Sequence, residues 1–278
     1  YDYTIYDEMS TGLTSNVRGA SGVTIKINNG VELESSYYTV TVDSVDANKF
    51  SVKVDILKAI TDGKIEAGNS LYTYYTGVLN EDAKVYDEGN QKNTAYLQYS
   101  NNPHDNTSKS ETPKVTVYDW TFKMNVQKVD GANHKELADA KFVLSKSRTV
   151  DLGTIDENGT PAETGNLIKL VYDPTDSTYR VATASDAKTT YVMTAGNITI
   201  KGLDDAEDYY LYETKAPAGY NRLTEPVKFR INATYTSADS RPDVLTKVGD
   251  EAAVTGLKVS VENNAGTTLP STGGMGTT

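Results

Sequence analysis

The chain has 278 residues, enough for two ordinary domains with a core each, and its 27 basic and 38 acidic residues give a formal net charge of −11. That balance argues against nucleic acid and anionic membrane surfaces as partners. Cysteine is absent, so covalent reinforcement would have to use other side chains, and tyrosine (20) far exceeds phenylalanine (4) and tryptophan (1), as half-buried strands prefer.

In chain order, residues 1–7 alternate like a strand and residues 8–14, with Gly12, read as a turn. Strands are expected at 23–27, 37–42 and 50–57, separated by the turn signals Asn28-Asn29-Gly30 and Asp46-Ala47-Asn48. Residues 53–60 fit a helical period poorly, so the strand there is expected to run into a short turn. Strands at 71–79, 94–99 and 115–118 follow, with the polar run 100–112 as a loop. A first domain is therefore expected over residues 1–118 and a second over 119–264. Within the second, strands are expected at 140–145, 167–172, 178–183, 197–201, 208–213, 227–232 and 257–263. Asp156-Glu157-Asn158-Gly159 and Asp173-Pro174-Thr175-Asp176 punctuate them as turns. Short strands at this spacing predict an all-β chain of two tandem Ig-like β-sandwiches, followed by a C-terminal tail over 265–278.

Three strands of the second domain carry a polar group on an apolar face. Alternation puts Phe122, Met124, Val126 and Lys128 on one side, Tyr209, Leu211 and Glu213 on one side, and Leu257, Val259, Val261 and Asn263 on one side. Burial disfavours the charged form of an amine or a carboxyl. If the three rows meet, a neutral Lys128 can attack the Asn263 carbonyl while Glu213 carries protons and ammonia leaves.

The run Tyr209-Tyr210-Leu211-Tyr212-Glu213-Thr214-Lys215-Ala216-Pro217-Ala218-Gly219-Tyr220 resembles the E-box of Gram-positive pilins and of collagen-adhesin B-type domains. Lys128-Val129-Asp130-Gly131 and Leu137-Ala138-Asp139-Ala140-Lys141-Phe142 resemble the first hairpin of that family. The resemblance implies a spontaneous isopeptide bond with Lys128 as amine, Asn263 as acceptor and Glu213 as catalyst. The first domain is similar to the A-type isopeptide-forming fimbrial domain. That similarity rests on Tyr3-Thr4-Ile5-Tyr6-Asp7-Glu8-Met9-Ser10-Thr11-Gly12-Leu13, on the run from Asn93 to Pro103, and on Val115-Thr116-Val117-Tyr118. It implies Asp7 as catalyst and Asn93 as acceptor, with the lysine upstream of Asp7, ahead of Tyr1.

Leu269-Pro270-Ser271-Thr272-Gly273 resembles the sortase sorting signal, with cleavage expected between Thr272 and Gly273. No signal peptide opens the chain and no span of about 18 apolar residues follows, so both ends are expected to be cut. The resemblance implies a structural subunit of a wall-anchored extracellular pilus, with sortase, neighbouring pilin subunits and peptidoglycan as partners. The alternatives are the stalk of a monomeric adhesin, or of a surface hydrolase with its catalytic domain elsewhere. His104 and His134 stand in polar loops without partners at ligand spacing, so no metal and no cofactor is expected. The only chemistry expected is self-directed and happens once, so the chain is not read as an enzyme.

Overall fold

The computed structural model describes residues 1–102, 104–105 and 107–266, so Leu269, Pro270, Ser271, Thr272 and Gly273 lie outside the described residues. It is almost wholly β, as expected. The chain divides into two compact units: Tyr1–Thr121 with Tyr235–Arg241, and Phe122–Thr234 with the residues from Pro242 onward. Compared with a single division at 118/119, the first unit keeps Asp119, Trp120 and Thr121 and takes a short segment from later in the chain. Among the described residues, no helix is long and apolar enough to cross a membrane.

The first unit holds β1 (Tyr3–Met9), β2 (Leu13–Ser15), β3 (Thr24–Ile27), β4 (Val31–Leu33), β5 (Tyr38–Val42) and β6 (Lys49–Val54). After α1 (Ile56–Thr61) come β7 (Leu71–Tyr74), β8 (Gly77–Leu79), β9 (Gln91–Ser100), β10 (Lys109–Glu111) and β11 (Val115–Asp119). The main sheet runs β10-β9-β1-β6-β5, with β11 also paired to β9; β3 is flanked by β4 and β7, and β2 pairs with β8. On β6, Phe50, Val52 and Val54 are buried while Lys49 and Lys53 are exposed. The period of two thus aims one row into a core shared with Ile25, Leu33 and Tyr38.

The second unit is a two-sheet sandwich. Its strands are β12 (Phe122–Asp130), β13 (Ala140–Ser145), β14 (Leu170–Asp173), β15 (Thr178–Val181), β16 (Met193–Ala195) and β17 (Asn197–Leu203). Then follow β18 (Asp208–Lys215), β19 (Val227–Thr234), β20 (Asp243–Val248), β21 (Val254–Thr255) and β22 (Lys258–Asn263). One sheet has the order β14-β15-β17-β12-β22 and the other β16-β13-β18-β19-β20-β21. Most pairs are antiparallel, but β15 and β17 run parallel, and so do β12 and β22, with Lys128 opposite Val261 and Asp130 opposite Asn263. Large apolar side chains fill the space between the sheets, including Phe122, Met124, Phe142 and Phe229. Tyr209 stacks on Phe229 at 5.3 Å between ring centroids.

Several local expectations change. The strand expected over 50–57 stops at Val54, and a helix forms over Ile56–Thr61 because the Asp55 side chain accepts the Lys58 N–H at 3.0 Å. The expected strand 71–79 is two strands in different sheets, broken at Tyr75 and Thr76. Within the expected loop 100–112, Lys109–Glu111 adds to β9. Asp7 stands inside β1 rather than at its end. The unexpected β20 buries only Val244 and Thr246, too sparse an apolar row to stand out in the sequence.

Candidate functional site

In the second unit the three rows meet. Lys128 on β12 and Asn263 on the neighbouring β22 face the same way, two residues apart in the parallel register. Glu213 arrives from β18, in the opposite sheet. A register shift in β13 at Lys141/Phe142 sets Phe142 against Glu213 and Lys141 against Lys215, so Thr214 falls in the bulge and is buried beside Glu213. The Lys128 and Glu213 side chains are both 0% exposed, with Nζ 3.9 Å from Oε1. Nζ also donates to Val261 O at 2.9 Å. Asn263 Nδ2 donates to Glu213 Oε2 at 2.9 Å and to the carbonyl of Asn221, while Leu223 N–H donates to the same Oε2 at 2.8 Å. Glu213 Oε1 and Asn263 Oδ1 remain buried without a hydrogen-bond partner. Burial pushes the Lys128 amine down to about 8, against the opposing attraction of Glu213 and Glu262. Roughly a tenth of it is therefore neutral, and nucleophilic, near pH 7.

The segment after Glu213 is shaped to hold this arrangement. Gly219 turns with φ +87°, Tyr220 N–H returns to Pro217 O, and Asn221 N–H and Gly266 N–H bind the chain around β22 to the loop. Tyr220 donates its hydroxyl to Asp130 Oδ2 at 2.6 Å, tying the loop to the end of β12. Gly131 N–H donates to Asn263 O at 2.9 Å, and a Cβ there would crowd the Asn264 side chain, with Oδ1 at 2.5 Å. Sequence reasoning had Tyr220 only as the end of the E-box. It missed Asn221 and Leu223 because they act through backbone groups, which residue type does not reveal.

In the first unit the structure brings Asp7 and Asn93 together. They lie on neighbouring antiparallel strands, with Asn93 opposite Met9 and Asp7 opposite Ala95, so their side chains share a face diagonally. Asn93 Nδ2 donates to Asp7 Oδ2 at 3.0 Å, and Tyr75, missed in the sequence, donates its hydroxyl to the same oxygen. The second contact of Asn93 Nδ2 is the Tyr75 hydroxyl at 3.2 Å. Asp7 Oδ1 and Asn93 Oδ1 are buried without partners. Burial raises the Asp7 carboxyl above its ordinary range, and the Tyr75 and Asn93 hydrogen bonds oppose that rise. No lysine among the described residues is a hydrogen-bond partner of this pair. Among the described residues, no group of three or more His, Cys, Asp or Glu is arranged to hold a metal.

Residues 122–241 match the SpaA family model, described as a prealbumin-like fold domain. No match was found among curated protein sequences. Among solved structures, the chain is similar to the group B streptococcus pilus 2b backbone protein, at 24% identity and TM-score 0.54 over 98% of this chain and 88% of the other. It is also similar to the 35 kDa C-terminal fragment of the major pilin GBS80 of Streptococcus agalactiae, at 21% identity and TM-score 0.62, covering 95% and 87%. Domains D2 and D3 of the major pilin SpaD from Corynebacterium diphtheriae match at 20% identity and TM-score 0.55, covering 95% and 86%. The likeness extends over both units and is one of fold, the all-β architecture of these pilin structures.

Proposed function

We propose that this chain is a structural subunit of a covalent pilus on a Gram-positive cell surface, reinforced by a self-made amide between Lys128 and Asn263. The observation that carries the reading is the meeting of a fully buried amine, carboxyl and carboxamide in one apolar core, with Glu213 Oε1 and Asn263 Oδ1 left without a hydrogen bond. Such an arrangement is costly as a packing solution and suited to reaction. Neutral Lys128 Nζ attacks Asn263 Cγ, forming the new C–N bond. Glu213 relays a proton from Nζ to Nδ2, the Cγ–Nδ2 bond breaks, and ammonia leaves with Glu213 returned to its starting state. The reaction happens once per chain, so the activity is assembly of the subunit itself rather than turnover.

The pilin-type fold of both units supports neighbouring subunits as partners. Leu269-Pro270-Ser271-Thr272-Gly273 supports joining by sortase, to another subunit or to peptidoglycan. The Asp7–Asn93 pair is read as a second amide-forming site, completed by an amine supplied from upstream of Asp7. Intact-mass measurement tests the central claim: the folded chain is expected to lack one ammonia, with peptide mapping placing the link between Lys128 and Asn263. A link at Asn264, or no loss at all, rejects it. Incubation with sortase and an amine tests the tail, the expected product ending at Thr272.

A further inference from the structure

The two buried pairs solve the same problem with different groups. In the second unit, Glu213 Oε2 accepts the Asn263 amide and one further donor, Leu223 N–H, while the other Asn263 N–H goes to Asn221 O. In the first unit, Asp7 Oδ2 accepts the Asn93 amide and one further donor, the Tyr75 hydroxyl, and that same hydroxyl lies 3.2 Å from Asn93 Nδ2. We infer that Tyr75 is a positioning residue of the Asp7–Asn93 pair, its single hydroxyl doing for the first unit what the Leu223 N–H and Asn221 carbonyl do for the second. The inference rests on reading that pair as an amide-forming site.

A hydroxyl can donate one hydrogen and accept another, so it can serve both neighbours at once. Giving its hydrogen to Asp7 Oδ2 leaves its lone pairs to the amide. The Asn93 carboxamide is thereby fixed in one orientation, because a flip would set its oxygen against Asp7 Oδ2. Asp7 Oδ1 and Asn93 Oδ1 are then the atoms left without a hydrogen bond, matching Glu213 Oε1 and Asn263 Oδ1 in the second unit. An arriving amine thus meets the carboxyl oxygen that takes its proton and the carbonyl that it attacks. The ring is held where this requires. Tyr75 occupies the break between β7 and β8, and it packs edge-on against Phe50 at 5.0 Å and 80°. Phe50 is in turn the residue opposite Asp7 on β6. Burial and the neighbouring Asp7 push the phenol well above its ordinary range, so it keeps its hydrogen.

Tyr75→Phe in the full chain tests this, since the ring and its Phe50 contact remain and only the hydroxyl goes. By NMR the Asp7 carboxyl is expected to titrate at higher pH in the variant, having lost a hydrogen bond to its ionised form. The Asn93 side-chain amide hydrogens are expected to exchange about fivefold faster. If the variant folds poorly, fluorotyrosine at position 75 keeps the hydroxyl as a stronger donor and is expected to move the Asp7 midpoint down. A midpoint and an exchange rate that ignore these changes overturn the inference. The reaction is read separately, in a chain extended ahead of Tyr1 by a lysine-bearing strand. There the unaltered residue is expected to permit loss of a second ammonia, and Tyr75→Phe to slow it about tenfold. No second loss with Tyr75 in place rejects the amide-forming reading and this role with it. A second loss at equal rates in both chains rejects Tyr75 alone.

Discussion

The second unit's site takes its carboxyl from across the sandwich: Glu213 sits on β18, while Lys128 and Asn263 share the opposite sheet. In the first unit the carboxyl and the carboxamide share one sheet, Asp7 on β1 and Asn93 on β9. Yet the local pattern is the same in both, one carboxyl oxygen accepting the amide hydrogen and a second left without a hydrogen bond. The lesson is that the arrangement of carboxyl and carboxamide depends on how the groups face one another and not on which strand brings each. The difference is the amine: the second unit buries Lys128 against its carboxyl, and among the described residues of the first no lysine pairs with Asp7.

The sharpest way to break the comparison is Glu213→Ala. It should leave the fold but abolish the Lys128–Asn263 link, so the lost ammonia returns in the mass and trypsin sensitivity rises. Because the link would close a loop spanning most of the unit, stability of that unit should fall by about 5 kcal/mol on the chain-entropy model. The melting of the first unit should not move. A variant that still loses its ammonia removes Glu213 from the mechanism.

A second test uses pH. In Asn263→Ala, Lys128 stays an amine held at about 8 in the folded state against 10.5 in the unfolded chain. Between those values the unfolded chain binds more protons, so stability should climb with pH across that window, by about 3 kcal/mol in urea titrations. The linked chain should show no such climb, since its nitrogen is an amide and no longer titrates. A flat curve for the variant would mean that Lys128 is not buried as an amine.

The first unit should respond in the opposite sense. Asp7 is raised by burial, so the stability contributed by its protonated form is present at low pH and lost as pH rises through the folded-state value. Asp7→Asn, neutral throughout, should therefore melt higher than the parent near pH 7 and no higher near pH 3. The smallest effect is expected from Tyr220→Phe, which frees the Glu213 loop from Asp130. Link formation in the second unit should slow about threefold with little change in the finished product.

The alternation of apolar residues made the rows ending in Lys128, Glu213 and Asn263 legible, because one polar side chain in a buried row is conspicuous. Asp7 and Asn93 were legible only through resemblance, since Asp7 is followed by turn-like residues that in fact continue β1 to Met9. Tyr75 was hidden within what looked like one strand, 71–79; the break that turns its hydroxyl toward Asp7 depends on two different sheets claiming the two halves. Asn221 and Leu223 could not be read at all, because every residue but proline offers the same backbone groups. The short helix after Val54 is capped by Asp55, three residues before Lys58, a local signal that the poor helical period of residues 53–60 did not reveal.

The parallel pairing of β12 and β22 has a mechanical consequence. Tension that enters the second unit at Phe122 and leaves beyond Asn263 would slide these two strands along each other, loading their ladder from Asn125–Lys258 to Asp130–Asn263 all at once rather than rung by rung. With the amide in place the load would pass from β12 through the Lys128 side chain directly into the end of β22. The 134 residues between Lys128 and Asn263, among them the whole opposite sheet, would then lie off the load path, and the unit could not lengthen by unravelling them.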